Sequence, residues 1–239
     1  MATEDAKQRW LPLESNPEVM NRFIWDLGAS QDYEFVDVFG LDEEFLAMVP
    51  QPALAALLLF PVSPATEQAR HDENARLSSA EQQLPASTVF VKQTISNACG
   101  TIGLVHAACN NADVLGLDDD SFFGRLVKLS RGGASPNDLA KVIETDKTIG
   151  DTHSTLAQEG QTAPPQLDEV VDLHFVCFTV VDGRLLELDG RKAFPIDHGP
   201  CTSDDFLAGV ARRVHAFIAL DPDNVNFNLV ALTKKGQDD

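Results

Sequence analysis

Apolar residues recur at helical spacing through Val19, Met20, Phe23, Ile24 and Leu27. Asn16-Pro17 ahead of them reads as an N-cap and a first-turn proline, and Gly28 behind them as a C′ glycine. The pattern predicts a helix. Tyr33 to Phe39 alternates with a strand's period of two and ends at Gly40. Asp42 to Met48 reads as a short helix closed by Pro50. Ala53 to Phe60 is an unbroken apolar run between Pro52 and Pro61, and its shortness favours a strand buried on both faces. Ser63 to Ser87 turns polar and predicts a loop holding at most one exposed helix, and Thr88 to Lys92 a short strand.

Cys99 to Asn110 is apolar on most sides, as a buried helix would be, and helices are also expected over Ser121–Ser130 and Ser135–Lys147. Leu173 to Val181 and Arg184 to Leu188 flank Asp182-Gly183, a two-residue hairpin signal. An amphipathic helix over Asp204–Leu220 and a strand over Asn226–Leu232 complete the pattern. Ahead of the hairpin, 149–168 holds two glycines, two prolines and no apolar period. A structureless stretch of about 20 residues is uncommon in a compact domain and tends to be functional. A domain linker is the alternative, but the residues that follow supply too few elements for a separate core. The mixed order of elements predicts an α/β or α+β fold in a single domain over 1–239.

Composition narrows the function classes. Acidic side chains number 37 against 18 basic ones, giving a net charge of −19. Phosphate-backbone binding needs clustered Lys and Arg, so nucleic acid is not the expected partner. Hydrophobic residues at 44% exclude a disordered acidic chain. The longest apolar run is too short to span a bilayer, and Met1 to Lys7 carries no leader pattern. The four cysteines show no CxxC pair, which argues against a disulfide framework or a zinc site. A cytoplasmic protein is expected, without cofactor, metal or membrane, and with nuclear residence open.

Candidate chemistry begins with the thiols. Cys99 falls at the predicted start of a buried helix, where the macrodipole and free N–H groups lower a thiol's pKa and can hold an oxyanion. Gly100 and Gly103 would let a substrate backbone approach. On position alone a buried inert thiol remains the alternative. Cys109, Cys177 and Cys201 read as small hydrophobes. Among the six histidines, His106 follows Cys99 by seven residues, about 10.5 Å along a helix axis, too far for a direct bond. His71 and His153 fall in polar loop stretches, His215 on the last helix and His198 in a loop. His174 opens a strand, and the hairpin register places it on one face with Val176 and Asp189. His174 and Asp189 are then diagonal neighbours at about 7–8 Å, and a carboxylate there could orient the imidazole. A strand-edge histidine with an incidental aspartate is the competing reading. Gln93, six residues before Cys99, could donate to an oxyanion.

These residues lie in motifs that resemble the ubiquitin carboxyl-terminal hydrolase family, papain-like cysteine peptidases: QTISNACGTIG from Gln93 to Gly103, VDLHF around His174 and ELDGR around Asp189. The resemblance extends through RWLPLESNPEVMNRF, FVDVFGLD, LLLFPV, EGQT and RKAFPIDHG, and within the family it is nearest the short, single-domain isozyme L-three type. It implies a central, mainly antiparallel sheet flanked by helices in a knotted chain. It also implies a monomer that cleaves small adducts or short peptides from the C-terminal glycine of ubiquitin, with a related ubiquitin-like protein as a further substrate. By motif match Cys99 is the nucleophile, His174 the base and then acid, Asp189 the orienting carboxylate and Gln93 an oxyanion donor. The 149–168 stretch corresponds to an active-site crossover loop, with Asp151, Thr152, His153, Glu159, Gly160 and Gln161 as its gating residues. A ubiquitin-binding protein that stabilises free ubiquitin with little turnover is the alternative. The acidic surface would attract the arginine-rich ubiquitin tail.

Overall fold

A computed structural model describes residues 8–78, 82, 84–163, 165–166, 169 and 171–236. Six strands form one antiparallel sheet in the order β1-β6-β2-β3-β4-β5. They are β1 (Tyr33–Asp37), β2 (Ala53–Pro61), β3 (Leu173–Val181), β4 (Arg184–Leu188), β5 (Ile196–Pro200) and β6 (Asn228–Lys234). The helices are α1 (Pro17–Asp26), α2 (Glu43–Leu46), α3 (Pro64–Ser78), α4 (Cys99–Cys109), α5 (Phe122–Arg131), α6 (Pro136–Thr145), α7 (Lys147–Leu156) and α8 (Phe206–Leu220).

The period of two along the central strands divides the core. Ala55 and Leu57 of β2, Phe175 and Cys177 of β3 and Val230 and Leu232 of β6 face a cluster shared with α1, α4, α5, α6 and α7. Ala56, Leu58, Phe60, Val176, Phe178 and Ala231 face the other side, under Phe206, Leu207, Val210 and Val214 of α8. The apolar run of β2 is therefore buried on both faces, as its sequence predicts. Start signals are realised too: the Asn16 side chain accepts from Glu18 N–H at the head of α1, and Ser135 with Asp138 closes a capping box on α6.

Two expectations change, over 88–92 and 149–168, while β5 adds to the pattern and α3 is the exposed helix expected after Ser63. Residues 88–92 pair with side chains rather than a strand. Asn110 exchanges two 2.8 Å bonds with the backbone of Val89, and His106 Nε2 accepts from Val91 N–H at 2.9 Å. β5 has no apolar alternation to announce it and pairs on β4 with a register shift. α3 carries almost no apolar face, with only Thr66 buried, and charged contacts described below tie it down. The expected loop over 149–168 is helical in its first half, because Ile149, His153 and Leu156 make an inward face and Asp146 caps α7 by accepting from Thr148 N–H. Pro164, Leu167 and Asp168 lie outside the described residues.

Candidate active site

α4 begins at Cys99 itself. Asn97 holds a left-handed backbone with φ of 63°, and its amide donates to Trp10 O at 3.2 Å, which fixes the turn into the helix. The N-cap, Ala98, offers no side-chain acceptor, so the first-turn N–H groups meet the thiol region uncapped. Gly100 and Gly103 do not open a path for substrate. A Cβ on Gly100 would lie 3.2 Å from Leu13 and 3.4 Å from the Phe175 ring, and one on Gly103 3.1 Å from Leu57. The two glycines let α4 lie close against β2 and β3 and so set where Cys99 emerges.

His174 stands at the start of β3, buried, with its Nε2 2.7 Å from Asp189 Oδ1. This is far closer than the diagonal spacing of a regular hairpin. The pairing of β3 with β4 runs from Val181–Arg184 to Cys177–Leu188 and stops, so Asp189 leaves the register and turns toward the imidazole. The same Oδ1 accepts Arg191 N–H at 2.8 Å. With Nε2 committed to the carboxylate, Nδ1 is the nitrogen left for the thiol, and the side chains of Cys99 and His174 shift each other's titration. A cavity of about 180 Å³, lined by Leu13, Leu59, Cys99, Gly160, Leu173 and Phe175 among others, opens onto the sulfur.

Electrostatics favour separated charge. Burial opposes the thiolate, yet His174, with the N–H groups of Phe175 and Gly100, pulls the Cys99 pKa down. Burial likewise disfavours imidazolium, but Asp189 and the thiol outweigh it and raise His174 to about 9. Asp189 is nearly enclosed, a condition that resists ionisation, and the imidazolium beside it holds its carboxyl below the usual range. The thiolate of Cys99, the imidazolium of His174 and the carboxylate of Asp189 are therefore each favoured by their neighbours.

Gln93 lies beside this group. Its backbone N–H donates to Gly190 O at 2.9 Å and its side-chain amide to Ile95 O at 3.2 Å, leaving a second amide hydrogen. The gating residues divide. Asp151, Thr152 and His153 are on α7, and His153 is buried rather than in a loop: its ring bonds Thr101 Oγ1 at 2.7 Å and Leu11 O at 2.8 Å and packs on Trp10. Burial pushes its pKa down to about 4, so it is a neutral tie between α7, α4 and the 8–15 segment. Glu159, Gly160 and Gln161 do lie in the loop. Glu159 pairs with Arg22, and Thr162 N–H reaches Glu14 Oε2 at 3.4 Å. His106, also pushed down to about 4 by burial, is spent on Val91. His71 is on α3 rather than in a loop, and His198 is on β5, 3.0 Å from Glu187 Oε2. Lys192 and Glu187 are not marked by any of the candidate motifs, although a Glu and a Lys bracketing Asp189 within six residues are the available signal.

Comparison with known proteins follows the same lines. A family model described as ubiquitin carboxyl-terminal hydrolase, family 1, matches residues 10–219. The chain is 42% identical over 231 residues to ubiquitin carboxyl-terminal hydrolase 3 of Arabidopsis thaliana, covering 96% of both. It is 42% identical over 223 residues to the human isozyme L1, covering 93% of this chain and 97% of that one. The fold matches the catalytic domain of Trichinella spiralis UCH37, solved with ubiquitin vinyl methyl ester, with a TM-score of 0.72 at 20% identity over 98% of this chain and 99% of that one.

Proposed function

The chain belongs to ubiquitin carboxyl-terminal hydrolase family 1 and is a thiol-dependent deubiquitinase, and from that premise we propose that Cys99, His174, Asp189 and Gln93 release small adducts and short peptides from the C-terminal glycine of ubiquitin. The observation that carries this reading is the 2.7 Å pairing of His174 with Asp189 in the electrostatic reach of the Cys99 thiol, which opens onto a cleft. The thiolate attacks the glycine carbonyl, while Cys99 N–H and the free amide hydrogen of Gln93 face the developing oxyanion. The imidazolium gives its proton to the leaving amine, and a thioester remains. Neutral His174 then takes a proton from water as it attacks, and thiolate and imidazolium are restored. His174 already pulls the thiol's pKa down without substrate, which favours turnover over simple retention of ubiquitin. Hydrolysis of a ubiquitin C-terminal fluorophore amide tests the reading, together with a ubiquitin-like counterpart assayed in parallel. Absence of turnover, with ubiquitin still bound, would leave only the storage role.

Residues 157–163 border the cleft, tied to α1 through Glu159–Arg22 and to the 8–15 segment through Glu14. A leaving group must pass this strap, so folded diubiquitin is expected to be a poor substrate. Inserting about ten Gly/Ser residues after Gln161 should raise diubiquitin cleavage while leaving fluorophore hydrolysis within a few-fold, since a longer flexible loop adds little closure entropy. Gel-based cleavage assays read this directly, and efficient diubiquitin cleavage by the unaltered chain would contradict it.

A further inference from the structure

Lys192 is a lysine that the mechanism above does not use, and it is almost completely enclosed, with 4% exposure. Its ammonium lies 2.5 Å from Glu187 Oε1 on β4 and 2.6 Å from Glu73 Oε2 on α3. Glu187 is fully buried, and its other oxygen takes His198 of β5 at 3.0 Å. Lys192 N–H donates to Asp189 O at 2.9 Å and closes the turn Asp189-Gly190-Arg191-Lys192, while Lys192 O accepts from the Lys92 ammonium. This turn joins both halves of the site. Its first residue supplies the carboxylate to His174, and its second accepts the Gln93 N–H through Gly190 O. There is no slack at that joint, since a Cβ on Gly190 would stand 2.9 Å from Gln93 Cβ and 3.0 Å from its nitrogen.

We propose that Lys192 is a positioning residue for the hydrolysis: clamped between Glu187 and Glu73, it fixes the turn that sets Asp189 against His174 and Gln93 against the oxyanion. The inference rests on the roles of Asp189 and Gln93 given above. Buried ion pairs are a poor source of net stability, because desolvation offsets their attraction. Their geometry is nonetheless stiff, with two carboxylates on separate elements holding one ammonium. Glu67 reinforces the clamp from the same helix by bridging Arg191 at 2.9 Å and Arg70 at 2.8 Å. The polar helix α3 thus docks through Glu67 and Glu73 onto the turn that carries the catalytic carboxylate. Also near Asp189 are Lys92, whose field reaches it, His106 of α4, which its charge reaches, and Arg213 of α8, which shares the wall of a cavity of about 200 Å³ behind the turn.

The test is a rate cycle on the full chain with a ubiquitin–fluorophore amide. Lys192→Met, apolar and similar in length, should lower kcat by about 10- to 100-fold, the range expected from a sub-ångström to ångström misplacement of catalytic groups. KM should stay within about two-fold. The alkaline limb of kcat should move to lower pH, because a withdrawn Asp189 supports imidazolium less well. In an Asp189→Asn background the same change should cost clearly less than in the unaltered chain, leaving only the part exerted through Gln93. An unchanged kcat and limb, or a loss that multiplies fully onto Asp189→Asn, would overturn the proposal. A rate unaffected by Asp189→Asn alone would instead sink the assignment of Asp189. If Lys192→Met fails to fold, Glu73→Gln at the outer side of the clamp should give a several-fold loss of the same kind, and a silent Glu73→Gln would refute the clamp.

Discussion

Cys99→Ala is expected to lower turnover of a ubiquitin–fluorophore amide by about 10⁵- to 10⁶-fold, the scale seen when a hydrolase loses its nucleophile. The loss is chemical. Three features that favour the thiolate converge on that sulfur, namely His174 and the N–H groups of Gly100 and Phe175. None of them can make a methyl group attack a carbonyl. The same substitution should barely alter the fold, since Cys99 is only part-buried and α4 starts there without a side-chain cap. Ubiquitin affinity, measured by calorimetry, should change by no more than a few-fold, because one thiol is a small part of the surface that a folded partner covers. Near-normal turnover by Cys99→Ala would remove the nucleophile assignment.

Asp189→Asn should lower kcat by about 10³- to 10⁴-fold while the chain stays folded, for a different reason. An amide has nearly the shape of the carboxylate, but its NH₂ can donate to Nε2 and drive the imidazole into the tautomer with its proton on Nδ1, facing the sulfur. The thiol then has no base. The pH profile carries a second signature. With Asp189 in place the imidazolium persists to about pH 9, so activity that needs it is complete below that pH and lost above it. Without the carboxylate the folded-state pKa of His174 falls, and the alkaline limb should move to lower pH. Comparison of kcat/KM against pH for the two proteins reads the shift, and an unmoved limb would mean that Asp189 does not set the charge of His174.

Much of this site is legible in the chain because its signals are local. The helix that starts at Cys99 follows from an apolar run with no polar face, and the Asp182-Gly183 hairpin fixes which residues share a face with His174. The distance between His174 and Asp189 is not local. It depends on where the β3–β4 ladder stops, and sequence carries no mark for that. Gly100 and Gly103 illustrate the same limit: a small residue signals close approach without saying whether substrate or the protein's own sheet does the approaching. The helices α3 and α7 are faint in a pattern search for different reasons. α3 is held by Glu67 and Glu73, and α7 presents His153 where an apolar residue would have revealed its inward face. Residues 88–92 read as a strand because their apolar content is right, while the groups that pair with them are the side chains of His106 in α4 and of Asn110 just past its end.

The thiols have a practical consequence. Burial pushes Cys109 and Cys177 well above the ordinary cysteine range, and Cys201 is raised by burial and by Asp205, whereas Cys99 alone is pulled down. At neutral pH an alkylating reagent therefore meets one good target among four sulfurs. The wild-type chain supplies its own single labelling point, so counting reagent consumed per mole of protein measures the fraction of competent molecules in a preparation, and no cysteine-free background needs to be built.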